Sequence, residues 1–376
     1  MILTKVTTQI SNYVLEKPVS PDWPGGYWGH WAFYTVIIII FVLLMVMGFI
    51  WFERRALGRI QVRLGPNRAG PWGILQPVAD TIKVLLKEDI VPEKGDKWVH
   101  FLAPIISFIA MLLIFAVIPF QEGAGLVPDL NIGILYVIGI GSLTIIGIFM
   151  AGWASNNKYS LVGAMRAIAQ MVSYEIPMAL SIVAVLLVTH SLSLQEIVKQ
   201  QHIPFIFLLP LSFLIYFTGA IAEIQRTPFD LLEGESEIVA GYHIEYSGIK
   251  FAIFYLAEYG DALVVSVLVT TLFLSGWKGP LLPPFLWFLI KVWIVFFIII
   301  WMRSSWPRVR VDQLMGFAWK FLLPLSLANL IIVAIETIFW PSFPWWLVFL
   351  NLGIAAILLT GWAGLFELRG GSRVES

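Results

Sequence analysis

Carboxylates crowd into one stretch of this chain, from Glu223 to Tyr259: EIQRTPFDLLEGESEIVAGYHIEYSGIKFAIFYLAEY. Asp230, Glu233, Glu235, Glu237, Glu245 and Glu258 all fall there, between segments apolar enough to sit in lipid. Like charges this close repel, and a carboxylate beside a bilayer is costly to keep ionised, so some of these groups hold protons near neutral pH. Such a cluster suits the gating or relaying of protons rather than the permanent binding of a cation. Glu233, Glu235 and Glu237 share one side only if the chain is extended, because on a helix a spacing of two fans apart. Phe229, Leu231, Ile238 and Tyr242 interleave with the acids, which points to a partly buried loop. A solvated acidic loop is the plainer alternative.

A second constellation is basic. In ERRALGRIQVRLGPNRAGP, residues 53–71, Glu53, Arg54 and Arg55 stand at the end of an apolar run. Arg59 and Arg63 follow at intervals of four, so a continuing helix presents a guanidinium ridge until Gly65-Pro66 ends it. Arginines at a helix end can simply fix topology. The ridge is longer than anchoring needs, however, and also suits the docking of a soluble partner.

Further acids lie inside apolar segments: Glu175, Glu223, Glu258, Asp261 and Glu336, with Lys291 as a cation at similar depth. An ionisable residue within a span is a candidate for a proton or ion relay. Glu258 and Asp261 are one helical turn apart and share a face. A purely structural carboxylate paired with a neighbouring helix is the competing account, most realistic for Glu336.

The elements that must position these groups are membrane spans. Of 376 residues, 59% are hydrophobic and 13% charged, and the mean hydropathy is +0.84; a soluble protein of this length carries far more charge. At about 20 apolar residues per span, nine segments qualify: 32–52, 98–119, 131–152, 165–189, 204–223, 251–275, 281–302, 319–340 and 344–366. The expected fold is therefore an all-α integral membrane protein, one polytopic domain over 1–376, with an outer segment 1–31. Its inner loops are 53–97 and the acidic 224–250, and 341–376 is a hairpin partner helix and tail. Within 53–97, WGILQPVADTIKVLLKEDI sets Trp72, Leu75, Val78, Ala79, Ile82, Leu85 and Leu86 on one face, with Asp80, Thr81, Lys83, Lys87 and Glu88 mostly opposite. That pattern is an amphipathic helix lying on the membrane. Lys and Arg concentrate in 53–97 and around 303–320, while the alternate loops are nearly bare, which places the N-terminus outside and both charged loops inside.

Composition also excludes functions. There is no cysteine, hence no disulfide, thiolate nucleophile or Cys-ligated iron–sulfur cluster. The five histidines show no metal or bis-haem spacing, so no metal site is expected and any electrons travel elsewhere. Zero net charge argues against nucleic-acid partners. MILTKVTTQI is too polar for a signal peptide, so the first span is expected to insert the chain.

These motifs taken together resemble a known family. ERRALGRIQVRLGPNRAGPWGILQPVADTIKVLLKED, SYEIP at 173–177, the acidic stretch and PRVRVDQLMGFAWK are similar to the H subunit of the proton-pumping NADH:quinone oxidoreductase, respiratory complex I. The resemblance runs from about Glu53 to about Pro324. It implies an eight-helix core, to which the last span is an addition, in a membrane-arm protein at the junction with the peripheral arm. The first span, the surface helix and the sixth span then frame a tunnel admitting ubiquinone or menaquinone toward an iron–sulfur cluster in a neighbouring chain. By motif, Glu53, Arg54, Arg55, Arg59 and Arg63 line that tunnel. Asp230, Glu233, Glu235, Glu237 and Glu245 form the charged loop beneath the quinone, and Glu175, Glu223 and Glu258 continue the path into the membrane. Arg308 and Arg310 lie in the loop that meets the peripheral arm. The third span, 131–152, holds no carboxylate, which leaves the lateral link of that path open.

The implied partners are other membrane-arm subunits, the iron–sulfur and quinone-site subunits of the peripheral arm, quinone and lipid. No metal, flavin or cluster is expected on this chain. The implied location is an energy-transducing membrane, most simply a bacterial plasma membrane. A related complex with another electron donor fits the same residues. A stand-alone transporter using Glu175, Glu258 and Lys291, or a passive assembly scaffold, are the competing readings.

Overall fold

The computed structural model describes residues 26–122, 129–231, 239–340 and 344–370, and side chains within these from residue 32 to residue 361. It is all-helical. In order the helices are α1 Gly26–Ile60, α2 Gln76–Leu85, α3 Lys97–Ile114, α4 Gly133–Ala154, α5 Lys158–Thr189, α6 Leu194–Gln200 and α7 Phe205–Leu208. Then come α8 Pro210–Glu223, α9 Gly248–Phe273, α10 Pro284–Ser305, α11 Val311–Gly316, α12 Leu323–Phe339 and α13 Leu347–Gly370.

Among the described residues, seven helices are long and apolar enough to cross a membrane. Two shorter apolar ones, Pro210–Glu223 and Leu347–Gly361, occupy the remaining expected positions. Every expected span thus has a helix, but several differ in extent for physical reasons. The first runs straight through the expected inner end to Ile60. The fourth begins at Lys158 rather than 165, because Asn157 caps it by accepting from the Tyr159 amide. Glu175 consequently lies about 26 Å along α5 at 1.5 Å per residue, not the 15 Å or so expected from a start at 165.

The fifth expected span, 204–223, is broken. Leu209 leaves the helical region (φ −123°, ψ 60°) and α8 restarts at Pro210, since proline disfavours helix at the residue before it and donates no amide bond. The Leu208 carbonyl is taken up by Asn351 Nδ2 of α13 at 2.8 Å. The last helix therefore repairs this break as well as packing beside it. The eighth span starts early, at Val311, and passes through a π-helical turn, Phe317–Leu322, into α12. Pro324 follows directly and cannot supply an amide to a regular ladder, a common setting for such a turn.

Close approaches between spans depend on small residues, as is usual in lipid. Gly147 of α4 faces Ser107 and the Ala103 carbonyl of α3 so closely that an added Cβ would collide with the serine oxygen. The core is aromatic and aliphatic, centred on Phe49, Met111, Tyr174, Tyr216 and Phe273, all effectively without solvent exposure. α5 is held to α11 by Tyr174, whose hydroxyl donates to Leu314 O at 2.9 Å, and to the π turn by Trp319, whose indole donates to Ser173 Oγ at 3.1 Å.

The segment between α1 and α3 differs from expectation in two places. The guanidinium ridge does not reach Arg63, because α1 ends at Ile60 and Val62 turns left-handed (φ 56°). Val62 N donates to Arg59 O at 3.1 Å and Arg63 N to Gly58 O at 2.8 Å, a Schellman-type stop with valine where glycine is usual. The amphipathic helix is shorter than its pattern: Pro71–Gly73 forms a separate 3-10 turn and only Gln76–Leu85 is α-helical. Its apolar face, including Leu75, Ile82 and Leu85, is exposed and left uncovered by the chain itself.

Candidate functional site

Near the C-terminal ends of α1 and α10, beside α9, four charged side chains meet. Glu53, only 4% exposed, accepts from Arg226 Nη1 at 3.3 Å and from Arg303 Nη1. Arg226, in the turn after α8, also reaches Glu258 Oε1 at 3.0 Å. Its guanidinium lies 4.3 Å from the centre of the Tyr259 ring. Two acids and two bases leave this knot neutral, which is what a site withdrawn from water requires. Burial works against the Arg226 charge, yet Glu258 and Glu53 outweigh it and hold the guanidinium protonated.

On the same side, Arg54 pairs with Asp80 of α2. Burial alone would raise the Asp80 carboxyl, but the Arg54 hydrogen bond and charge hold it below its usual value. Tyr255 and Tyr259 of α9 touch through their hydroxyls at 3.2 Å. Arg55 and Arg59 turn the other way, to a groove between α1 and α10 that they share with Trp51 and Trp301. The five residues of the basic motif thus split: Glu53 and Arg54 face the interior and α2, Arg55 and Arg59 face the groove, and Arg63 lies beyond the helix stop.

From Glu258 the polar groups continue inward. A cavity of about 20 Å³ is bordered by Glu258, Asp261, Glu223, Ser107 and Thr144. A second of about 50 Å³ shares Glu223, Asp261 and Thr144 and reaches Glu175. At 10–15 Å³ of such volume per water, they have room for about one and about three waters. Glu175 Oε1 accepts from Ser142 Oγ at 2.6 Å, and Gly141 borders the larger cavity beside it. The carboxylate-free third span therefore brings a hydroxyl to Glu175 and a glycine to the cavity wall. Asp261 stands between Glu223 and Glu258.

Of the acidic loop, Glu233, Glu235 and Glu237 lie outside the described residues. Asp230 is half-buried at the loop's start, and the neighbouring Pro228 carbonyl accepts from Val309 N at 3.1 Å. That bond ties the acidic loop to the segment bearing Arg308 and Arg310. Arg310 is exposed, and its own amide donates to Gln313 Oε1 at 3.3 Å. Glu245 accepts from Asn157 Nδ2 at 2.7 Å, so the loop's far end is fixed to the cap of α5. Ser247 donates to Glu88 O at 3.1 Å and Lys250 pairs with Asp89 at 2.9 Å, joining the loop's exit to the surface segment. His243 packs edge-on against Tyr242 and Phe251, and burial pushes its imidazole down to about 4.

With this geometry in hand, comparison with known proteins is decisive. The family model described as NADH dehydrogenase matches residues 33–334. The chain belongs to the NADH dehydrogenase family. Proteins named as the H subunit of NADH-quinone oxidoreductase are similar over most of their length. The one from Dehalococcoides mccartyi (strain CBDB1) is 57% identical over 348 residues, 92% of this chain and 98% of the relative. That of Carboxydothermus hydrogenoformans is 49% identical over 304 residues, 79% and 86% of the two chains. That of Ralstonia pickettii is 46% identical over 343 residues, 85% and 95%.

Within this NADH dehydrogenase family member, Arg226 is the residue of the knot that no motif marks. It stands just outside a span and among acids, as the one Lys or Arg between Lys199 and Lys250. A single cation in such a run must pair, and that signal is present in the sequence. Lys291, a candidate for ion exchange by its depth alone, is otherwise occupied: its ammonium donates to the carbonyls of Leu274, Gly276 and Lys278 at 2.7, 2.9 and 2.7 Å. It closes the C-terminal end of α9. No group of three or more potential metal ligands occurs among the described residues.

Proposed function

We propose that the chain is the H subunit of a proton-translocating NADH:quinone oxidoreductase, coupling quinone reduction in a neighbouring chain to proton movement in the membrane. The observation that carries this is the unbroken series from the Glu53–Arg226–Glu258 knot, through Asp261 and Glu223, to Glu175 and Ser142. Quinone, ubiquinone or menaquinone, approaches along the α1, α2 and α9 side, past Glu53, Arg54 and the Tyr255–Tyr259 pair. The acidic loop with Asp230, Glu233, Glu235, Glu237 and Glu245 lies beneath it.

In this reading reduction in the neighbouring chain creates a demand for protons at the quinone. The neutral knot senses it, because a proton or charge added within a few ångströms changes the balance by several kcal/mol at an effective dielectric of about 20. Arg226, shared between Glu53 and Glu258, can shift toward one or the other, a two-state element of the kind such coupling needs. Glu223 and Asp261 then exchange protons with Glu258 and Glu175 over the small cavities. No electron carrier is assigned to this chain.

The membrane is an energy-transducing one, most simply a bacterial plasma membrane, with the N-terminus outside and the charged loops inside. Arg308 and Arg310 meet the peripheral arm, and other membrane-arm subunits flank the bundle. Neutralising Glu233 and Glu235 together tests the loop's role. Quinone reduction and pumping should both fall in the assembled complex, and unchanged pumping would remove the loop from the account.

A further inference from the structure

We propose that the groove between α1 and α10 is a binding site for an anionic phospholipid, whose phosphate sits on Arg55 and Arg59. The cavity measures about 620 Å³ and is lined by Trp51, Arg55, Arg59, Trp72, Phe297 and Trp301, a volume within the range of built ligand sites, about 300–1,000 Å³. Three observations give it this occupant.

The first is charge. Arg55 and Arg59 are one turn apart on the same helix, about 6 Å between their Cβ atoms. Neither pairs with a carboxylate among the described residues, and no acid lines the groove. Arg54, one residue earlier, has Asp80 for its partner. Basic pockets between spans on the inner side attract anionic headgroups, and the two tryptophans at the inner ends of α1 and α10 mark the same interfacial level.

The second is strain. Trp72 adopts a left-handed backbone (φ 58°, ψ 21°) between Gly70 and Gly73, both also at positive φ. A bulky residue in that region costs about 1–2 kcal/mol. Packing within the chain does not repay it, since Trp72 remains 68% exposed. The conformation is nevertheless enforced: Arg55 Nη1 and Trp51 Nε1 both donate to the Trp72 carbonyl, at 2.7 and 3.1 Å. The ring is held out over the groove, 5.4 Å from the Arg55 guanidinium, with a surface to offer and nothing of its own chain to cover it.

The third is a seal. Phe49 stacks on Phe296 at 3.6 Å, and Trp293 packs edge-on against Phe49 and Phe52 at 4.8 and 5.3 Å. With the Glu53–Arg303 pair below them, these rings close the α1–α10 seam. The groove is blind toward the buried carboxylates, so a neutral quinone there leaves the two guanidinium charges uncompensated and does not reach the knot. A phospholipid uses both ends of the site, acyl chain on Phe297 and Trp301, phosphate on the arginines. Held there, it braces the turn that leads into α2 and so the Arg54–Asp80 pair.

The test uses the whole purified complex, stripped of lipid in detergent. Dioleoyl phosphatidylglycerol carrying a diazirine on its acyl chain should crosslink to peptides containing Trp51, Phe297 or Trp301, and the matching phosphatidylcholine probe should label them far less. Half-maximal labelling by phosphatidylglycerol in the Arg55→Gln/Arg59→Gln complex should need about 30-fold more lipid, at about fivefold per arginine. Equal labelling by the two lipids, an unchanged concentration in the double variant, or protection of these peptides by a short-chain quinone analogue would each overturn the proposal. If the double variant fails to assemble, the comparison of the two probes on the unmodified complex still decides. Crosslinking needs no turnover, so this result stands apart from the fate of the coupling account.

Discussion

Replacing Arg226 by Gln removes the one cation shared by Glu53 and Glu258. The consequences are unequal: Glu53 keeps Arg303, while Glu258 loses its 3.0 Å ion pair. At an effective dielectric of about 20 each of these contacts is worth about 5 kcal/mol before desolvation. Breaking a buried pair by removing one partner typically costs about 3–5 kcal/mol. The single variant should therefore assemble poorly, and its assembled fraction should lose at least about tenfold in both quinone reduction and proton pumping. Adding Glu258→Gln removes the stranded charge, so the double variant should recover assembly, with a coupling of about 2–3 kcal/mol by double-mutant cycle. Pumping should stay low in the double variant, because the relay has lost a member. The assay pairs quinone-reductase rates with dye-monitored acidification in vesicles, normalised to assembled complex. Wild-type pumping in the single variant, or strictly additive losses in the double, would refute the reasoning.

Ser142→Ala should deprive Glu175 of its 2.6 Å donor, a loss of about 0.5–1.5 kcal/mol; pumping should fall severalfold while quinone reduction largely persists, measured as protons per electron. Lys291→Met should lower thermal stability by about 3 kcal/mol, one for each carbonyl left without a donor, without changing protons per electron in the folded fraction; an altered ratio would return Lys291 to the ion path. His243, half-buried and lowered from 6.5 to about 4, makes the acidic-loop region acid-labile. A depressed folded value means the stability is fully present above 6.5 and is lost as pH falls toward about 4, by about 3 kcal/mol in all. His243→Gln should flatten the unfolding temperature across that window.

Much of this arrangement is legible in residue types. Spans stand out because twenty apolar residues have few other uses, and the interior acids because charge at that depth is expensive. Boundaries are less legible. The Pro210 break is present in the sequence, but an apolar run on either side hides a proline from a hydropathy window. The stop at Val62 gives no signal, since valine is the wrong residue for that turn. Facing is the least legible property: Arg54 and Arg55 are neighbours in a single basic motif, yet helical rotation sends one to Asp80 and the other to Trp72. Likewise the third span offers no carboxylate to notice, and its contact with Glu175 and the cavity rests on a hydroxyl and a missing side chain. Arg226 is a lone base in a run whose acids dominate its pattern, so only the need to neutralise them points to it.

Glu223 borders both internal cavities and so bears the central claim most directly. The decisive measurement is the ratio of protons pumped to electrons delivered to quinone in vesicles containing the Glu223→Gln complex. The account predicts a ratio well below that of the unmodified complex while quinone is still reduced. A ratio equal to the unmodified one would contradict it.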